Sequence, residues 1–77
     1  MRVEIGRYRN SKDFILYLWN KDKSNDHNSF VANAAVATGV PCIVVAHFLG
    51  EIIGFTPEVN AIMKRLTKFY GYTEVVE

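Results

Sequence analysis

The stretch from Val36 to Gly54 constrains this chain more than any other. It contains Val-Pro-Cys-Ile-Val-Val-Ala, then Phe-Leu and Ile-Ile, and is the most hydrophobic window of the sequence. Its length is near that of a helix able to span a bilayer. Pro41, His47 and Glu51 interrupt it, however, and Gly39, Gly50 and Gly54 dilute it. An ionisable group in mid-span is costly unless it has a partner. The pattern therefore predicts a helix buried inside a water-soluble domain, with no membrane contact.

Such a helix has to be covered by a short chain. Seventy-seven residues make one domain, taken as residues 1–77, and not two. A chain of this size buries only about 60% of the surface its unfolded form exposes. Yet 49% of the residues are hydrophobic, with five Phe, four Tyr and one Trp. A thin core cannot absorb all of that, so part of the apolar material is expected at an interface with a protein, most simply in a homodimer. Cys42 is the single cysteine, which excludes an internal disulfide. Met1-Arg2-Val3-Glu4-Ile5 has neither the apolar core nor the small-residue cleavage site of a signal peptide. A reducing, cytoplasmic setting is the expectation.

Along the chain, residues 2–9 alternate with strand period, and Arg9-Asn10-Ser11-Lys12 carries turn chemistry. The run Phe14-Ile15-Leu16-Tyr17-Leu18-Trp19 is apolar on both faces and rich in aromatics, which favours strand. A helix capped by Ser11, with Asp13 in its first turn, is the rival. A hairpin of residues 2–9 and 13–20 is the preferred reading. It would set Tyr17 and Trp19 on the strand face opposite Phe14, Leu16 and Leu18. Residues 20–29 contain nothing apolar and read as an exposed loop. A helix follows from about Ser29, with Phe30, Val31, Ala34 and Ala35 inward, and Gly39 ends it as a left-handed cap. Pro41 suits the first turn of a second helix, running to about Phe55. Thr56-Pro57-Glu58 reads as N-cap, first-turn proline and first-turn acid of a third helix. Val59, Ile62, Met63, Leu66 and Phe69 form its apolar stripe, and Gly71 ends it. Residues 72–76 would add a strand beside residues 2–8. The whole predicts an α+β fold in the order β-β-α-α-α-β.

The segment from Ala35 to Val45 resembles the helix-turn-helix of repressor-type proteins. Ala35 stands where two such helices cross, Gly39 in the turn, Val40 just after it, and Val45 at the anchor of the second helix. The resemblance implies DNA reading by that second helix. The outward N-terminal positions depart from the pattern: they hold Cys42, Ile43, Val44 and Ala46, and only His47 is polar. Side chains that reach base edges and phosphates are missing there. Two packed helices joined by a glycine turn is the plainer reading; as a true motif, its second helix would face protein.

Catalytic and metal chemistry find little support. His47 and Glu51 share a helix face, but structural zinc needs four ligands and catalytic zinc three. Cys42 near a helix N-terminus would need a base and an oxyanion hole to act as a nucleophile. Glycine-rich phosphate loops are absent, and no cofactor is expected. Net charge is +1, so no global field draws nucleic acid. Charge is uneven, though. Residues 1–23 carry Arg2, Arg7, Arg9, Lys12, Lys21 and Lys23, residues 24–63 carry no Lys or Arg, and Lys64, Arg65 and Lys68 follow on the third helix. The sequence thus reads as a small non-enzymatic interaction protein, whether inhibitor, adaptor or regulatory subunit. The residues expected to meet its protein partner are Arg7, Arg9, Lys12, Tyr17, Trp19, Lys64, Arg65, Lys68 and Tyr70. The alternative is a helix-turn-helix-like nucleic-acid-binding regulator that uses the basic cluster on the third helix.

Overall fold

In a computed structural model of the protein, the described residues are 3–22, 26–70 and 72–73. They form a helical bundle and not the expected α+β fold. A 3-10 helix over Ile5–Ser11 leads into α1 (Lys12–Asp22), followed by α2 (His27–Thr38), α3 (Cys42–Ile53) and α4 (Pro57–Tyr70). The hairpin of residues 2–9 and 13–20 is not formed among the described residues, where Ile5–Ser11 and Lys12–Asp22 are both helical. The extended pairing among the described residues is limited to two residues on each side. Val3–Glu4 (β1) runs parallel to Tyr72–Thr73 (β2), with Val3 opposite Tyr72 and Glu4 opposite Thr73. Residues 74–76 lie outside the described residues.

The physical reason lies in residues 13–20. A run that is apolar on both faces has no period of its own, so its neighbours decide. As a helix, α1 turns Ile15, Leu18 and Trp19 toward one side, the spacing i, i+3, i+4 of an inward face. Ile15 is fully buried, and Leu18 and Trp19 pack against the core. As a strand, the same run would need ladder partners along its length, and a two-residue pairing supplies none. Asp13 lies in the first turn, where its charge matches the helix dipole.

The polar loop expected at 20–29 is shorter than that. Helix α1 continues to Asp22, and Asp26 already caps α2. The Asp26 carboxylate accepts from the Ser29 N–H at 3.2 Å and from the Ser29 hydroxyl at 2.8 Å. These two hydrogen bonds hold its pKa below the ordinary carboxylate value. Phe30, Val31 and Ala34 of α2 face the core. Gly39 ends the helix in the left-handed region at φ 73°, with its N–H bonded to the Ala35 carbonyl. Val40 and Pro41 turn the chain, and α2 and α3 meet at a bend of 118°.

Helix α3 is the centre of the molecule. Every residue from Ile43 to Gly50 is buried. A helix apolar around its whole circumference has to be surrounded, and α1, α2, α4 and the 3-10 helix all pack on it. Thr56 caps α4, its hydroxyl accepting from the Val59 N–H at 3.3 Å. Val59, Ile62 and Met63 then close the core from that side. The Cα radius of gyration is 11.3 Å, close to the value of about 11.5 Å for a compact chain of this length. Among the described residues no single helix is long and apolar enough to cross a membrane; α2 and α3 reach that length only together.

Candidate functional site

With about 100° of rotation per residue, a helix gathers positions i, i+3, i+4 and i+7 on one face. On α1 the outward face holds Asp13, Phe14, Tyr17, Asn20 and Lys21, all exposed. Phe14 is 46% and Tyr17 54% exposed. Their rings stack with centroids 6.1 Å apart and planes 10° from parallel. The Lys21 ammonium lies over the Tyr17 ring, 5.8 Å from its centroid, within the range of a cation–π contact. Phe14, Tyr17 and Lys21 thus form one preassembled ridge.

Beside the ridge, α1 and α2 enclose an open groove of about 430 Å³. Leu18, Phe30, Ala34 and Ala37 supply its apolar lining, and Lys21, Asp22 and Asn33 its polar one. The outward side of α2 continues this surface without any charge. Ser29, Ala32, Asn33, Val36 and Ala37 are exposed there, with Val36 at 86%. A surface helix ordinarily carries charge on its outer side; this one presents small and apolar side chains next to two stacked aromatics.

The residues singled out in the sequence fall in several places. Tyr17 is on the ridge. Trp19 turns inward into the seam between α1 and α2, edge-on to Phe30 at 5.0 Å and tilted against His27 at 5.4 Å. His27 Nδ1 lies 2.6 Å from Glu58 Oε2, so this cluster ties α1, α2 and α4 together. Arg7 pairs with Glu4. Arg9 and Lys12 point to Glu51, at 3.9 and 2.7 Å. Arg65 donates to the Asn28 side chain at the start of α2. Lys64 and Lys68 are exposed and make no ion pair among the described residues. The Tyr70 side chain lies outside what is described. Arg7, Arg9 and Lys12 are thus engaged with Glu4 and Glu51, whereas of the α4 group only Arg65 is engaged, with Asn28.

The His47–Glu51 pair also has a definite place. His47 is 2% exposed, with Nε2 3.0 Å from Glu51 Oε2, and its ring packs between those of Phe48 and Phe55. Burial by itself would raise the pKa of Glu51. The hydrogen bond from Lys12 and the charges of His47 and Lys12 outweigh it, and the carboxyl is held below its ordinary value. This network fastens the start of α1 to the second half of α3. Among the described residues no three His, Cys, Asp or Glu side chains converge as metal ligands. Cys42 is a half-buried free thiol at the first residue of α3. The 118° bend suits a helix-turn-helix, but the face of α3 that would enter a DNA groove is buried in the core.

Sequence reasoning missed Phe14, Lys21 and the groove, because a strand reading sends Phe14 to the other face from Tyr17. The signal that would have found them is the helical spacing 14, 17, 21 set against the inward set 15, 18, 19. Compared with family models, with curated proteins and with solved structures, the chain matches none of them.

Proposed function

We propose that this chain is a small non-enzymatic interaction protein, of the inhibitor, adaptor or regulatory-subunit kind, that works through protein–protein contacts at the α1 face and the adjoining groove. The observation that carries this reading is the exposed Phe14–Tyr17 stack beside an apolar groove. Aromatic side chains with water on one side are the residues most enriched at the centres of protein interfaces. The rim matches that pattern, since Lys21, Asp22 and Asn33 are polar and border an apolar floor.

A nucleic-acid partner has weaker support. Arg7, Arg9, Lys12 and Arg65 are engaged with carboxylates or an amide of the same chain. An enzyme has less, because His47 is already bound to Glu51 and enclosed by aromatic rings. The lone cysteine fits a reducing compartment, and the cytoplasm is the proposed setting.

The test compares wild type with Tyr17→Glu as immobilised bait in native lysate treated with nuclease. Proteins retained by the wild type and lost from Tyr17→Glu support the reading. Retention abolished by nuclease, or left unchanged by the substitution, overturns it.

A further inference from the structure

The geometry points to a second copy of this chain as the occupant of the α1 face, paired antiparallel about a twofold axis that passes at Tyr17. The inference rests on the reading of that face as an interaction surface and names its partner.

The reasoning starts from helical spacing. Tyr17 lies at the middle of the outward face. At about 100° per residue, Asp13 and Asn20 fall on one flank of it, and Phe14 and Lys21 on the other. The second flank borders the groove, since Lys21 and Leu18 line it. When two identical helices pack antiparallel about a twofold axis, each flank meets the same flank of the other helix with heights reversed. Phe14 lies three residues before Tyr17, and Lys21 four after it. Phe14 of one copy therefore stands opposite Lys21 of the second. Asp13, four residues before the axis, likewise stands opposite Asn20, three after it.

Each of these pairings is complementary. The ring of Phe14 meets an ammonium, and the Asp13 carboxylate meets an amide that can donate to it. Tyr17 meets its own copy, and a phenol both donates and accepts. Neither flank brings like charges together. A parallel pair would instead set Asp13 against the Phe14 ring, with no such match. The lone chain already holds half of the arrangement, because Lys21 lies over its own Tyr17 and Phe14 is stacked on that same ring. In the pair, each Lys21 would sit between Tyr17 of its own chain and Phe14 of the second copy. Phe14 of the second copy, placed at Lys21, stands at the mouth of the 430 Å³ groove floored by Leu18, Phe30, Ala34 and Ala37. The groove of each copy is thus completed by a residue of the other, which closes the assembly at two and leaves no open end.

Sedimentation of the full chain across about 5–500 µM tests this, a range suited to a small interface. The wild type should pass from monomer to dimer and no further. Tyr17→Glu puts two like charges on the axis and should weaken dimerisation at least about tenfold, with helicity by circular dichroism unchanged. Phe14→Lys and Lys21→Phe should each weaken it, and the double swap should restore it, because the antiparallel register exchanges these two positions. In a Cys42→Ala background, Tyr17→Cys should form a disulfide-linked dimer on mild oxidation and Val36→Cys should not. A wild type that stays monomeric throughout, a dimer indifferent to Tyr17→Glu, or a double swap that fails to restore pairing would each overturn the twofold arrangement. A monomeric wild type overturns this pairing alone; the lysate comparison decides separately whether the face binds protein.

Discussion

Helices α1 and α3 are of similar length and both carry long apolar runs, yet they have opposite fates. Cys-Ile-Val-Val-Ala-His-Phe-Leu-Gly is enclosed from Ile43 to Gly50. In Phe-Ile-Leu-Tyr-Leu-Trp only Ile15 is fully buried, while Phe14, Leu16 and Tyr17 stay exposed. The apolar runs alone do not separate them; the polar residues around each run and the cover over it do. Helix α3 is short of polar groups on every side and has four elements to cover it. Helix α1 lies at the edge, covered on one side by α2 and α3, and its other side holds Asp13, Asn20 and Lys21 among the aromatics. The comparison teaches that an apolar side chain becomes core or contact surface according to what the fold can place over it. In a chain of this size the cover runs out after one central helix.

The sharpest way to break that comparison is to truncate one phenylalanine from each helix. Phe48→Ala in α3 should cost about 3–5 kcal/mol, because it leaves a cavity among fully buried neighbours. That is a large share of the stability of any small domain. Phe14→Ala in α1 should change stability by about 0.5 kcal/mol or less and should lower self-association instead. Denaturant unfolding of both variants measures this. Similar losses for the two would mean that the α1 ring is a structural element and not an exposed contact.

The same contrast explains what could be read from the sequence. Helix α4 was legible because Thr56-Pro57-Glu58 is a strong start signal and Val59, Ile62 and Met63 keep helical period. The α2–α3 turn was legible in Gly39, whose φ of 73° favours a residue without a Cβ. Residues 13–20 were not legible, since aromatic and β-branched composition argues for strand whenever no period opposes it, and that the described residues offer no pairing beyond two residues on each side is a tertiary fact. Reading them as strand hid half of the candidate site by separating Phe14 from Tyr17. The partner of Glu51 was hidden for another reason. Its helical neighbour His47 is visible at i−4, but Lys12 arrives from the far end of the chain, and no local pattern announces it.

That long-range tie between the two helices gives the next test. Glu51→Gln removes the charge that holds Lys12 and should cost about 1–2 kcal/mol at neutral pH. The folded-state pKa of Glu51 lies below its unfolded value. Its contribution is therefore complete above the unfolded pKa of about 4.3, and is lost as the pH falls through the lower, folded-state pKa. Unfolding curves of wild type and Glu51→Gln should converge in that acid range. A gap that stays constant down to pH 3 would mean that the carboxylate does not fasten α1 to α3. A smaller effect is expected where the chain turns into the central helix. Gly39→Ala should cost about 1 kcal/mol, because an alanine at positive φ is strained even though nothing lies near the added carbon.

The smallest effect is expected at Lys64 and Lys68, on a surface that belongs to neither side of the comparison. Both are exposed on α4, and Lys68 sits in the last turn, where a cation favours the helix dipole. Replacing both by Glu should change stability by about 0.5 kcal/mol or less. It should leave dimerisation and protein capture intact, because the α1 ridge is built from other residues. The outcome discriminates because the nucleic-acid reading predicts something different from the same variant. If these lysines meet phosphates, wild type should shift random duplex DNA at micromolar concentration and physiological salt, and charge reversal should abolish the shift. Each neutralised phosphate would then contribute about 0.9 to the slope of log affinity against log salt. Such a shift would move the functional surface from α1 to α4. With Arg7, Arg9, Lys12 and Arg65 all engaged within the chain, Lys64 and Lys68 are the two cations of these sites without an ion pair among the described residues, and a titration against salt should find no binding to measure.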